Sequence, residues 1–273
     1  SGTSGASGTS GASGTSGASG TSGAAGMGGT GASAGAGGHA AVAGAAGMTG
    51  AAGTAATAGY AGMGGAAGAG GTGWPCGDAL VDARDGKVYP TLAIGGLCWM
   101  GANLDVGLQV PTSQHQSGTA QIQKYCLLDS AANCTAFGGL YEWNHAMQYT
   151  TVEGAPGICP AGWRIPTDQE CKDLEIAAGM DPVIADQNSW RGSGVGTALK
   201  AGGSTGFEGL LGGMCIGNTG NCYNYSGTNE YGYFWTSTMG TQGPWRRCLA
   251  GDAVTAWPSD TVGRWQTWPW YYA

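Results

Sequence analysis

The stretch CPAGWRIPTDQE, residues 159–170, decides how the compact part of this chain is read. Pro166 closes an extended run, and Thr167 with Glu170 makes a T-x-x-E capping box, in which each side chain bonds the other residue's backbone N–H. Beyond it Cys171, Leu174 and Ala178 fall on one face, and Gly179 ends the helix. Later, YGYFWTST at residues 231–238 alternates partly and is rich in strand formers. Earlier, KVYPTLAI at 87–94 reads as a strand in which Pro90 marks an edge or a bulge. GLYEWNHAMQYT at 139–150 reads as a short helix. Strands, a few helices and many Gly-rich loops give the fold class α+β.

Outward from this region the composition changes abruptly near Trp74. Residues 1–73 hold no Asp, Glu, Lys, Arg, Pro, Cys or Trp, whereas all nine Cys and all eleven Trp follow. The front has almost no side chain to bury and cannot build a core of its own. Residues 74–273 are enough for one ordinary domain. The domain reading is therefore 1–73 as a Gly/Ala/Ser/Thr triplet-repeat tract and 74–273 as a single globular unit.

That tract keeps a phase. SGTSGA opens the chain three times over, and from Gly2 to Gly71 every third position is Gly except Ala32, Ala41 and Ala56, 21 of 24 in all. A flexible linker needs no phase. Period three matches the left-handed polyproline II helix, which has three residues per turn and no internal hydrogen bonds. The row two after each Gly is small, with Ser seven times and then Ala or Gly almost throughout. The row one after each Gly holds Met27, His39, Val42, Met48, Tyr60 and Met63, together with Thr3, Thr9, Thr15, Thr21, Thr30, Thr54, Thr57 and Thr72. Two faces are small and one is decorated. A collagen triple helix needs only its Gly row to be small and usually relies on Pro. Two small rows suit close packing against other extended chains, which supply the missing backbone partners. The expectation is an extended rod of ~72 residues at ~3.1 Å each, roughly 220 Å long. The plainer alternative is a disordered Ser/Gly/Ala stalk.

The net charge of −7 argues against a nucleic-acid partner, because phosphate binding needs clustered Lys and Arg. No apolar run approaches the about 18–20 residues of a membrane-spanning helix. The chain opens at Ser1 without Met and reads as a mature or truncated product whose export signal has been removed. Nine Cys without CxxC or zinc spacing point to disulfides and an oxidising, extracellular setting. An odd count leaves at least one thiol free or paired between molecules.

The segments DARDGKVYPTLAIGGLCWMGANL (82–104), KYCLLDSAANCTAFGGLYEW (124–143), CPAGWRIPTDQE, GFEGLLGG (206–213) and YFWTST (233–238), in this order, resemble the Fibrobacter succinogenes major paralogous domain family. The resemblance covers most of residues 80–250. It implies a C-type-lectin-like fold and an exported, surface-associated bacterial protein, and it carries no established catalytic residues. The chain departs from the family at its end, GRWQTWPWYYA, where the family's last Cys is missing. Cys171 stands where Trp is common. The EPN, QPD and WND motifs of calcium-dependent sugar-binding lectins are absent, so the resemblance implies no sugar site.

Cys126 with Cys134, and Cys215 with Cys222, enclose short loops and are the candidate disulfides. Cys76, Cys98, Cys159, Cys171 and Cys248 cannot be paired from sequence. Three scattered His make no metal site, and no GxSxG, HExxH or phosphate loop appears. Glu142 and His145, three apart on the expected helix, read as a satisfied surface pair rather than an acid–base couple. Asp82 and Asp85 near Arg84 and Lys87 read as a solvated turn. No catalytic residue, cofactor or metal is expected. The aromatic tail of Trp265, Trp268, Trp270, Tyr271 and Tyr272 is the most suggestive contact feature, open to a role as core, as subunit interface or as a stacking platform for sugar rings.

The expected function is a structural subunit of an extracellular fibre or surface assembly, self-associating into a homopolymer, with sugar on the Thr row. The alternative is a cell-surface adhesin in which the tract is a spacer and the domain binds glycan or cell wall.

Overall fold

The computed structural model describes residues 75–214, 230–252, 254, 257–267 and 269, all within the second of two contact-defined units of the chain, Ala58–Ala273. The Gly-x-x tract with its eight row Thr, Cys215, Cys222, Trp268, Trp270, Tyr271 and Tyr272 lie outside the described residues.

Strands β1 (Leu80–Val81), β2 (Val88–Tyr89), β3 (Thr91–Ile94) and β4 (Leu97–Met100) form two antiparallel pairs, β1 with β2 and β3 with β4. The strand expected over 87–94 is thus cut in two at Pro90, which has no N–H to give to a ladder. Its carbonyl instead accepts from Gly101 N at 2.8 Å. β5 (Leu108–Gln109) and β6 (Gln123–Lys124) pair in parallel. Then come the helices α1 (Ala131–Phe137), α2 (Trp143–Ala146) and α3 (Asp168–Ala177), strand β7 (Ser189–Arg191), helix α4 (Val195–Leu199), and the strands β8 (Tyr231–Gly240), β9 (Gly243–Ala250) and β10 (Val262–Gln266). The mixture is α+β. The main sheet is antiparallel, in the order β7-β10-β9-β8.

Helix α3 begins where the capping box places it. Glu170 N donates to Thr167 Oγ1 at 3.1 Å, and Thr167 N donates to a Glu170 carboxylate oxygen at 2.8 Å. Such a cap is worth about 1 kcal/mol. Arg164 clamps the same carboxylate, with Nη1 to Oε2 at 2.6 Å. Asp168 N donates to Thr238 Oγ1 at 2.8 Å, so the first turn of α3 is also tied to β8. The helix leaves at Ala178, and Gly179 takes a φ of 107° that a side chain would resist.

The helix expected over 139–150 shrinks to the single turn α2. Leu140 is occupied in a bridge with Tyr125, and Gln148 and Tyr149 both adopt left-handed backbone, at φ 50° and 61°. The buried Trp143 fixes that turn by donating its indole N–H to Thr236 O at 2.7 Å. Trp235 returns the gesture to Tyr141 O at 2.9 Å. These two indoles lock α2 to β8.

Two clusters make most of the core. One joins Cys171 and Leu174 of α3 to Val195 and Leu199 of α4, Trp99 of β4, Leu249 of β9 and Val262 of β10. The other gathers Tyr141, Trp143, Met147, Ile158 and Ile165 around Trp235. A cavity of about 230 Å³ has walls drawn from both clusters.

Candidate functional site

Side chains alternate across a strand, so the register of the main sheet sorts its residues onto two faces. Arg191, Val262, Arg264, Arg247 and Leu249 share the face that meets α3. Trp190, Gly263, Cys248, Tyr233, Trp265 and Arg246 share the other. The first face holds the domain together; the second buries Trp235 and Cys248 and carries the candidate site at its β7–β10 end.

On the α3 face, three arginines from adjacent strands would repel one another if left alone. Two carboxylates from α3 separate them. Arg264 grips Asp168 with Nε to Oδ1 at 3.0 Å and Nη2 to Oδ2 at 2.7 Å, and Arg247 Nη1 reaches Asp168 Oδ1 at 2.8 Å. Arg247 and Arg191 both bond Glu175. All five side chains are buried. Burial pushes the Asp168 carboxyl up, but the hydrogen bonds from Arg264 and the charge of Arg247 more than offset it, and it sits below the ordinary range. Glu175 is deeper, and burial carries its carboxyl upward. Burial also draws Arg191 down to about 10. A buried ion network of this kind is a poor source of net stability, but breaking it is costly.

On the opposite face lies an aromatic cluster. Trp190 and Trp265 meet edge to face, with ring centroids 5.1 Å apart and planes at 83°. Trp257 stacks on Trp190 at 6.1 Å and 28°. Gly263 makes this possible: a Cβ there would come within 2.0 Å of Trp265 Cζ3, so only a glycine lets the ring sit against this strand. Trp257 is 50 % exposed, yet its turn is braced. Ser193 Oγ donates to Asp260 Oδ2 at 2.6 Å, Gly196 N donates to Asp260 O at 2.8 Å, and Thr261 Oγ1 donates to Pro258 O at 2.8 Å. Across the same face Arg246 lies 4.7 Å over the Tyr233 ring, and Tyr231 follows at 6.0 Å from Tyr233.

A second polar cluster surrounds Glu142. One of its oxygens, Oε1, meets His115 Nδ1 at 3.1 Å, Gln116 N at 3.1 Å and Tyr125 OH at 2.9 Å. His145 is fully buried and accepts from Gln123 N at 2.8 Å through Nε2. Its Nδ1 faces Tyr149 OH at 3.3 Å. Burial pulls the His145 imidazole below its ordinary value, with the Glu142 charge opposing. Glu142 and His145 are therefore not a surface pair: both are buried, and each serves a different loop. The reason is that Glu142 caps α2 from outside the helix, in extended backbone.

The turn at 82–87 is likewise not simply solvated. Asp82 is 1 % exposed and receives Arg84 Nε at 2.8 Å and Nη2 at 2.6 Å, while Arg84 Nη1 donates to Ile158 O at 2.8 Å. Lys87 and Lys124 converge on Asp105.

Of the sequence candidates, Cys126 and Cys134 are bridged, closing the loop before and into α1 with Cα atoms 4.9 Å apart. A second bridge joins Cys76 to Cys98, which sequence left unpaired. Among the described residues Cys159, Cys171 and Cys248 carry no bridge. Burial pushes each of these thiols up to about 12. Trp265 sits in the aromatic cluster. Sequence does not single out its companions Trp190 and Trp257: the β7–β10 pairing brings in Trp190, and the turn before β10 brings in Trp257. No group of His, Cys, Asp and Glu suited to a metal occurs among the described residues, and none of their helices is long and apolar enough to cross a membrane.

Residues 92–260 match the sequence profile of the Fibrobacter succinogenes major domain. No curated protein and no solved structure gives a match.

Proposed function

The chain belongs to the Fibrobacter succinogenes major domain family, and we propose that it is a non-catalytic structural subunit of an extracellular fibre or surface assembly. The observation that carries this reading is the unbroken triplet phase of residues 2–71, which two small rows and one decorated row turn into a surface for lateral packing of extended chains. The domain, assigned here to the C-type-lectin-like group, caps or links the repeating units. Its two disulfides support export to an oxidising compartment. In this reading the row Thr carry O-linked sugar, which shields a bare backbone from proteases. Its buried polar groups are engaged in holding loops and strands, which favours a structural role over a catalytic one. Electron microscopy of the purified full-length protein tests the proposal. Filaments are the expected result, and dispersed particles at all concentrations would overturn it.

The half-exposed Trp257 on its braced turn favours a second reading, an adhesin whose domain binds glycan while the tract acts as spacer. Stalked single particles that bind polysaccharide would select it over the first.

A further inference from the structure

We propose that Trp257, Trp190 and Trp265 form the anchoring subsite for a neutral, gluco-configured polysaccharide chain. This rests on the second reading above, that the domain binds glycan, and it names the place and the ligand class.

The geometry is that of a stacking platform. Trp190 and Trp265 stand nearly perpendicular and form a corner, while Trp257 turns one ring face outward from its stack on Trp190. A pyranose whose substituents are all equatorial presents a flat C–H face to such rings and keeps its hydroxyls at the rim, in water. The rings are held before any ligand arrives. Gly263 seats Trp265, and the Asp260 bonds to Ser193 and Gly196 fix the turn that carries Trp257. Little side-chain entropy is then lost on binding.

The platform ends at the Trp corner, because farther across the sheet Cys248 is buried and Arg246 donates to the buried Met214 sulfur at 3.1 Å and lies over the Tyr233 ring. That guanidinium is already engaged, and the chain's net charge is −7. Both facts favour a neutral chain over a polyanion.

Affinity electrophoresis and calorimetry of the full chain with a soluble mixed-linkage β-glucan, with polygalacturonate as the anionic comparison, test this. The wild type should bind the β-glucan. Trp257→Ala should bind about tenfold more weakly at an unchanged unfolding midpoint, since one stacked ring contact is lost. Trp257→Phe should recover part of the loss. Met239→Ala, which removes another exposed apolar side chain, should bind as the wild type does. Full-strength binding by both Trp257→Ala and Trp190→Ala would overturn the site while leaving the glycan reading intact. Binding to polygalacturonate alone would overturn the neutral ligand, and wild type binding neither polymer would overturn both the site and the reading.

Discussion

Arg264 on the last strand grips Asp168 at the start of α3 through two hydrogen bonds, at 3.0 and 2.7 Å, across 96 residues of chain. The same carboxylate holds Arg247, which lies directly opposite Arg264 on the neighbouring strand. One acid therefore separates two buried cations. Asp168→Asn should cost about 3–5 kcal/mol, because it leaves buried guanidinium charge without its counterion. Asp186→Asn, at an exposed partner of Lys172, should be nearly silent. Urea unfolding of the two variants checks the contrast, and equal midpoints would show that the network does not clamp α3 to the sheet.

The neutral, buried His145 makes stability depend on pH in a definite direction. Its folded pKa lies below the ordinary value of 6.5 because of burial, so the unfolded chain takes up the proton first. Its contribution is fully present above about pH 6.5 and is lost as pH falls from there toward the lower folded value. Protonation would also destroy the acceptor that receives Gln123 N. His145→Gln keeps an acceptor without a titration. The urea midpoint of the wild type should fall between pH 7.5 and 5.5 more steeply than that of the variant, and parallel profiles would remove His145 from the account.

The parts of this fold that were legible in sequence are those set by neighbours in the chain. Thr167 and Glu170 fix a helix start through contacts three residues apart, and Tyr231–Thr238 is rich in strand formers. Pro90 announced its own break. The misread parts depend on distant partners. Asp82 and Arg84 look like a surface turn until Ile158 O arrives to receive Arg84. Glu142 looks like a helical partner of His145 until Gln116 and Tyr125 claim it. Of the candidate site only Trp265 was visible, since its neighbours Trp190 and Trp257 are supplied by strand pairing and by a turn that Asp260 ties to another loop.

The cysteines give a count that separates three bridges from two. Three cysteines, Cys159, Cys171 and Cys248, are unbridged among the described residues, and burial keeps them from forming thiolate. The native protein should therefore react slowly with thiol reagents. After denaturation without reductant it should titrate three thiols if Cys215 and Cys222 are bridged as their spacing suggests. Two further thiols would show that pair open. Reduction of the Cys76–Cys98 bridge, which encloses the longer loop, should cost about 3.4 kcal/mol of chain entropy against about 2.5 for Cys126–Cys134. Cys76→Ala and Cys126→Ala variants, unfolded in urea, check that order.

The proposed assembly depends on which rows of the Gly-x-x tract are packed, and substitution can read this directly. If neighbouring chains meet on the two small rows, bulk belongs only on the row that already carries Met27, Tyr60 and Met63. Ala51 lies on that row, Ala52 on the small row and Gly53 on the Gly row. Ala52→Leu would drive a side chain into a gap sized for a methyl group, at a cost of ~1–3 kcal/mol repeated in every subunit. Gly53→Leu should be at least as damaging, since the Gly row permits the closest backbone approach. Ala51→Leu should be nearly silent. A collagen-like triple helix makes a different forecast, in which only Gly53→Leu disrupts because both Ala side chains point outward. Assembly yield and melting of the three variants distinguish the two arrangements. Equal tolerance of leucine at 51 and 52 would end the two-small-face model, and tolerance at all three positions would mean that the tract is a spacer, leaving the domain to act alone.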